Sequence, residues 1–193
     1  MTKYILVGGH PYKASDGGRA FAENLTEGFP EPVKLLDCLF ARPQADWENA
    51  YRQDQEFFQK HLPGRTLVMA LADVQQFRRQ IQWAHTIYLR GGSTDTLRAL
   101  LRQIGDWEVQ LNGKTLAGSS AGADIIAKYY YGLDDLKLGD GLGLLPVKVL
   151  VHYRSDYNAP HIDWEQAYRE LKNYKEDLPI LTLAEGQFMV TAK

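Results

Sequence analysis

The sequence predicts an α/β fold: a three-layer α/β/α arrangement with a mostly parallel central sheet. Three observations carry this. Short apolar runs recur from one end of the chain to the other, and they are apolar throughout rather than alternating. Segments with apolar residues at helical spacing lie between them. Glycine turns close several of the runs, as in Val7-Gly8-Gly9 and Leu89-Arg90-Gly91-Gly92. A strand without a polar face must be covered on both sides, which in a β–helix–β chain means parallel strands between helical layers.

The strand candidates, in order, are Tyr4–Val7, Val33–Leu36, Thr66–Ala70, Thr86–Leu89, Thr115–Ala117, Val147–Val151 and Ile180–Leu183. Leu97, Leu100, Leu101 and Ile104 mark one helix face at i, i+3, i+4 and i+7, and Trp164, Ala167, Tyr168 and Leu171 mark another. Trp47, Ala50, Tyr51, Phe57 and Phe58 mark a third, less regular face. Pro30–Pro32 and Arg42-Pro43 read as turns rather than linkers. With no internal repeat and 193 residues, one domain over 1–193 is expected.

The formal net charge of −2 offers no basic surface for nucleic acid. No window reaches the roughly eighteen consecutive apolar residues of a membrane span, and the run after Met1 is too short for a signal peptide. A cytoplasmic address is therefore expected, with no membrane partner. The single cysteine, Cys38, lies among Leu35, Leu36, Leu39 and Phe40 and reads as a buried structural thiol without a metal-binding pattern.

In a parallel sheet ligands bind beyond the carboxyl ends of the strands, so motifs that directly follow an apolar run carry the most functional weight. Gly118-Ser119-Ser120-Ala121-Gly122 is the first of these. It fits G-x-S-x-G, follows the run Thr115–Ala117 and opens an apolar helix through Ala123, Ile125, Ile126 and Ala127. That is the strand–turn–helix setting of a nucleophile elbow, in which a sharp turn projects the serine above the sheet. The helix N-terminus also brings backbone N–H groups to where negative charge would develop. Ser120 is the candidate nucleophile, and Ser119 should point elsewhere.

A serine hydroxyl needs a base within hydrogen-bond reach. His152 ends the run Val147–Val151, on the same sheet edge as Ser120. His10 follows Gly8-Gly9 and shares that edge, lining the same crevice. His61 lies at a helix end, His85 begins a strand at the opposite edge and His161 sits in a loop. The acid that would orient the base is Glu185, after the run Ile180–Ala184, or Asp134 or Asp135, in a loop after the elbow helix. Residues 88–97 form a strand, a glycine pair and a helix start capped by Ser93 or Thr94. Backbone N–H groups of Gly91, Gly92 and Ala121 could together form an oxyanion hole.

The pairing of Leu89-Arg90-Gly91-Gly92-Ser93-Thr94 with Gly118-Ser119-Ser120-Ala121-Gly122 resembles the peptidase E family. So do the later His152-Tyr153 and Leu183-Ala184-Glu185-Gly186. These aspartyl dipeptidases and cyanophycinase relatives have a class I glutamine-amidotransferase-like fold, and the resemblance runs in order from about residue 66 to 190. It implies Ser120 as nucleophile, His152 as base, Asp135 or Glu185 as acid and the Gly91–Gly92 pair as an oxyanion donor. It also implies a small peptide substrate, and neither a metal nor an organic cofactor.

Two substitutions set this chain apart from the family pattern. The usual Gly-Gly-Asn is Gly91-Gly92-Ser93, which puts Ser93 at the substrate in place of an amide side chain. The arginine that recognises a substrate aspartate falls near Gln166, and Arg169, one turn later, is the only arginine close to that position on its helix. The expected activity is that of a serine peptidase or related amidohydrolase acting through an acyl-enzyme. The alternative is a non-catalytic protein that binds small ligands on the same scaffold. An ordinary α/β-hydrolase esterase fits less well, because strands follow His152 where that fold has its last residues.

Overall fold

A computed structural model describes residues 1–157 and 161–193. The strands are β1 (Lys3–Val7), β2 (Val33–Cys38), β3 (Leu67–Leu71), β4 (Thr86–Leu89), β5 (Thr115–Ser119), β6 (Tyr129–Gly132), β7 (Lys137–Asp140), β8 (Lys148–Leu150), β9 (Ile180–Thr182) and β10 (Phe188–Ala192). The helices are α1 (Arg19–Thr26), α2 (Trp47–His61), α3 (Phe77–Trp83), α4 (Thr94–Ile104), α5 (Ala121–Ile126) and α6 (Trp164–Asn173). Mostly parallel strands flanked by helices make this an α/β fold, as the sequence predicts.

The strands form two sheets rather than one. The larger runs β10-β1-β5-β4-β2-β3, and all of it is parallel except β10, which pairs antiparallel to β1. The smaller runs β7-β6-β8-β9, with β6, β8 and β9 parallel and β7 antiparallel at its edge. Three strands were not expected from the sequence. In β6, Tyr129, Tyr130 and Tyr131 follow the apolar helix α5 with only Lys128 as a break, so no turn signal separates them. In β7, Lys-Leu-Gly-Asp carries little apolar character, and it is held by pairing with β6. In β10 the strand lies at a sheet edge and is partly exposed, which is where apolar patterning is weakest.

Alternate residues of each central strand face opposite layers. Ile5, Val7, Leu35 and Ala117 pack with Phe21, Leu25 and Phe58 from α1 and α2. Leu6, Leu36, Ile87 and Leu116 pack on the other side with Phe77, Leu101 and Ile125 from α3, α4 and α5. Cys38 is fully buried in this second layer, and burial pushes its thiol far above the ordinary range, so it is a structural thiol. Two helices begin on side-chain caps. The Ser93 hydroxyl accepts from Thr96 N at 3.2 Å, and the Asp163 carboxylate accepts from Gln166 N at 2.9 Å.

The smaller sheet is tied to α6 by a buried lysine. Lys148 in β8 is fully covered, and its Nζ donates to the carbonyls of Leu171, Lys172 and Tyr174 at 2.7–2.8 Å. These carbonyls lie at the carboxyl end of the helix, where intrahelical donors run out and a positive charge is favoured. Lys148→Met would keep the stem and remove the ammonium that the three carbonyls share; Leu171 O would keep only the N–H of Tyr174. It is expected to lower unfolding stability by about 3 kcal/mol, read from urea denaturation. A loss below about 1 kcal/mol would show that water replaces the ammonium at little cost.

Candidate active site

The carboxyl ends of β1, β5 and β4 lie side by side, with Val7 opposite Ser119 and Leu89 opposite Gly118. Ser120 follows β5 at φ 50° and ψ −115°, a conformation that costs an L-residue energy and clusters at functional sites. Its N–H donates to Val7 O at 3.0 Å, and its carbonyl accepts from Ala123 N and Asp124 N. The motif's glycines are sterically required. A Cβ on Gly118 would lie 2.3 Å from Gly122 C, and one on Gly122 would lie 2.1 Å from Leu89 O. Ser119 does point elsewhere: its Oγ bonds to Tyr88 Oη at 2.9 Å and accepts from Gly91 N at 3.2 Å.

His152 stands in the turn after β8, also at positive φ (51°). Its Nε2 is 3.0 Å from Ser120 Oγ, and its Nδ1 is 2.9 Å from Glu185 Oε1. An ionised carboxylate can only accept, so Nδ1 carries the proton and Nε2 is left to accept from the serine hydroxyl. The other oxygen of Glu185 is bonded by Lys13. Burial works to raise the Glu185 carboxyl, but the bonds from Lys13 and His152 outweigh it and the net shift is downward. Burial lowers the His152 imidazole below its usual value, and the Glu185 contact offsets only part of that.

Tyr157 stacks on the His152 ring at 4.1 Å between centroids and donates to Asp134 Oδ1 at 2.7 Å. His10 lies beside the pair, with Nε2 3.6 Å from Glu185 Oε1 and Tyr12 Oη 2.8 Å from its Nδ1. His10, His152 and Glu185 bring three atoms of metal-ligating type within 4.8 Å of one another. Lys13, the Ser120 hydroxyl and the Nδ1 proton already engage two of these three side chains.

Asp135 lies apart from this chain of bonds. It sits in the exposed β6–β7 turn, with Oδ1 2.6 Å from where a Cβ on Gly132 would lie. The carboxylate hydrogen-bonded to His152 is that of Glu185. Arg169 is on the exposed side of α6 and lines neither cavity at Ser120. The Ser93 hydroxyl faces the second cavity but is engaged in capping α4.

Gly91 abuts Ser120, since a Cβ there would lie 3.0 Å from Ser120 Cβ. Its N–H is directed at Ser119 Oγ, not at open space. Gly92 passes so close to Ala41 that a Cβ would lie 2.3 Å from its carbonyl oxygen. Ala121 is the first residue of α5, so its N–H has no intrahelical acceptor and is free to serve a ligand at Ser120.

Two cavities meet at Ser120 and His152. The larger, about 450 Å³, has a wall of Arg42, Arg90, Tyr88, Gly91 and His10. The smaller, about 310 Å³, is lined by Asp95, Asp124, Asp134 and Asp135 among others. Several of these residues carried no sequence signal. Lys13, in a short 3-10 turn after β1, and Arg42 and Tyr157, in loops, belong to no motif.

Beneath the larger cavity lies a carboxyl pair. Asp37, fully buried at the end of β2, has no donor for either oxygen among the described residues, and it faces Asp54 of α2. Burial raises both groups, Asp37 well above its ordinary value and Asp54 to about 6, although Arg90 binds Asp54 at 3.0 Å and opposes the shift. Two buried carboxyls facing each other cannot both ionise cheaply, which favours a proton held on the pair where its oxygens would otherwise be orphaned. Because the folded pair holds protons that the unfolded chain releases near 3.8, stability falls as pH rises through the folded values. Asp37→Asn is expected to remove most of that loss. Between pH 4 and 8 the variant should lose less stability than the wild type, as measured by urea denaturation. Parallel stability profiles for the two proteins would rule out the shared proton.

The model of peptidase family S51 matches residues 41–193 of the chain. Among solved structures, a peptidase from an acI-B1 Actinobacterium aligns at TM-score 0.66 and 22% identity, over 99% of this chain and 83% of that one. A protein assigned to peptidase E from Listeria monocytogenes EGD-e aligns at TM-score 0.67 and 17% identity, over 99% of this chain and 94% of its own. At these identities the likeness is one of fold. No curated protein sequence matches significantly.

Proposed function

The chain belongs to peptidase family S51, and from that premise we propose that it cleaves small peptides by acyl transfer through Ser120, His152 and Glu185. The observation that carries this reading is the unbroken series of hydrogen bonds from Ser120 Oγ through the His152 ring to Glu185, on a serine held at positive φ. His152 Nε2 takes the hydroxyl proton as Oγ attacks the scissile carbonyl. Glu185 holds the ring in the Nδ1–H tautomer and stabilises the imidazolium that forms. The negative carbonyl oxygen sits at the N-terminus of α5, against the N–H of Ala121 and the Gly91–Gly92 loop. Because the Gly91 N–H bonds to Ser119 Oγ, its use as an oxyanion donor requires a small turn of the loop. His152 then returns the proton to the leaving amine, and water releases the acyl group by the same steps in reverse.

Lys13 strengthens the acid's part. By binding the second oxygen of Glu185 it keeps the carboxylate ionised and fixed in place. His10 contributes a polar edge to the substrate cavity beside the triad.

A fluorophosphonate should label Ser120, and Ser120→Ala should abolish both labelling and peptide hydrolysis, the latter by at least about a thousandfold. Equal labelling of the variant would refute the assignment. The two candidate acids separate cleanly. Glu185→Gln should cost about a hundredfold or more in kcat, while Asp135→Asn should stay within about twofold; the opposite ranking would move the acid to the β6–β7 turn. Catalysis needs neutral His152, whose value is depressed. In the wild type, kcat/KM should therefore rise with pH through a midpoint below 6.5 and be level at neutrality. A midpoint above 7 would mean that the base is not this buried imidazole.

A further inference from the structure

Arg42 lies in the turn after β2, half-buried, on the wall of the larger cavity. Its backbone is pinned at two points: its N–H donates to Leu39 O at 2.9 Å, and its carbonyl accepts from Trp47 Nε1 at 2.9 Å. Its Nε donates to Gly91 O at 3.1 Å. A guanidinium has five N–H donors, so four remain on Nη1 and Nη2. Among the described residues none of those four meets an acceptor, and no carboxylate lies within salt-bridge reach.

The neighbouring Arg90 is the contrast, because it is spent on the protein. Its Nη1 donates to Ala50 O at 2.8 Å and pairs with Asp54 at 3.0 Å. The carboxyls of Asp37 and Asp54 act on Arg42 only at a distance, and Asp54 is paired with Arg90, so neither bonds the Nη groups of Arg42. A planar fork with unused donors, half desolvated and facing the cavity of the nucleophile, is matched by one ligand chemistry above others. That chemistry is a carboxylate, which takes two parallel N–H bonds.

We propose that Arg42 is a specificity-determining residue, which binds a carboxylate of the peptide substrate through its Nη groups while its Nε holds the Gly91–Gly92 loop. The proposal rests on the reading of Ser120 as nucleophile. One side chain then couples substrate recognition to the loop beside the nucleophile, since the guanidinium that docks the carboxylate also fixes the carbonyl of Gly91. The carboxylate is either an acidic side chain next to the scissile bond or the free C-terminus of a short peptide, and the two sources separate by experiment.

Matched peptides would be compared: aspartate against asparagine beside the scissile bond, and free acid against amide at the C-terminus. The wild type should favour the carboxylate member of one pair by about tenfold to a hundredfold in kcat/KM, and that pair identifies the source. Arg42→Gln should reduce the preference to within about twofold. Arg42→Lys, which keeps the charge but cannot bond Gly91 through Nε, should retain part of the preference with a lowered kcat. In the wild type, succinate should slow fluorophosphonate labelling of Ser120 and succinamide should not, a readout that needs no variant to fold. Equal turnover of both members of both pairs, a preference that survives in Arg42→Gln, or protection by succinamide as strong as by succinate would each overturn the assignment to Arg42. Failure of the wild type to label at all would instead overturn the reading of Ser120.

Discussion

The backbone that follows β1 is the constraint on which the site depends. Gly8 and Gly9 are the point where three distant stretches of chain are tied together. Val7 O accepts from Ser120 N, Gly8 O accepts from His152 N at 2.7 Å, Gly8 N donates to Gln187 O, and Gly9 O accepts from Gly186 N. The elbow, the turn after β8 and the loop carrying Glu185 are therefore held to one short length of main chain. Side chains cannot be accommodated there. A Cβ on Gly8 would lie 2.3 Å from the carbonyl oxygens of Leu183 and Ala184, and one on Gly9 would lie 2.2 Å from His152 Cε1.

The same junction joins the two sheets. β8 and β9 belong to the smaller sheet, yet His152 N, just past the end of β8, donates to Gly8 O, just past the end of β1 in the larger. The serine thus comes from the larger sheet, whereas the histidine and glutamate follow strands of the smaller one. Its hydrogen-bond series crosses the boundary between them. Positive φ at His10, Ser120 and His152 is the local cost of turning three chain segments inward at one place.

Much of this was legible in the sequence, for physical reasons. The α/β class was visible because central strands buried on both faces leave uninterrupted apolar runs, and the elbow because its glycines are forced by contacts under 2.5 Å. His152 and Glu185 could be proposed because each follows an apolar strand, and strand ends are where a parallel sheet exposes chemistry. What was hidden depends on tertiary placement. Nothing local distinguishes Lys13 or Arg42 from other surface cations, and Tyr157 reaches the imidazole from a loop. The division into two sheets was hidden because β7 and β10 are edge strands defined by their partners more than by their composition. Asp135 and Glu185 could not be separated from sequence, since both follow elements at the same edge; their distance from His152 is a property of the β6–β7 turn.

The most direct test of this account is the rate at which a fluorophosphonate labels Ser120 in Gly9→Ala. The substitution leaves Ser120, His152 and Glu185 in the sequence and adds one methyl group where the His152 ring lies. If the junction after β1 holds the site together, the variant should stay folded by circular dichroism while its labelling rate falls by about a hundredfold or more. A folded variant that is labelled at the wild-type rate would contradict the account, because the serine would then be reactive without the histidine being held where Gly9 permits.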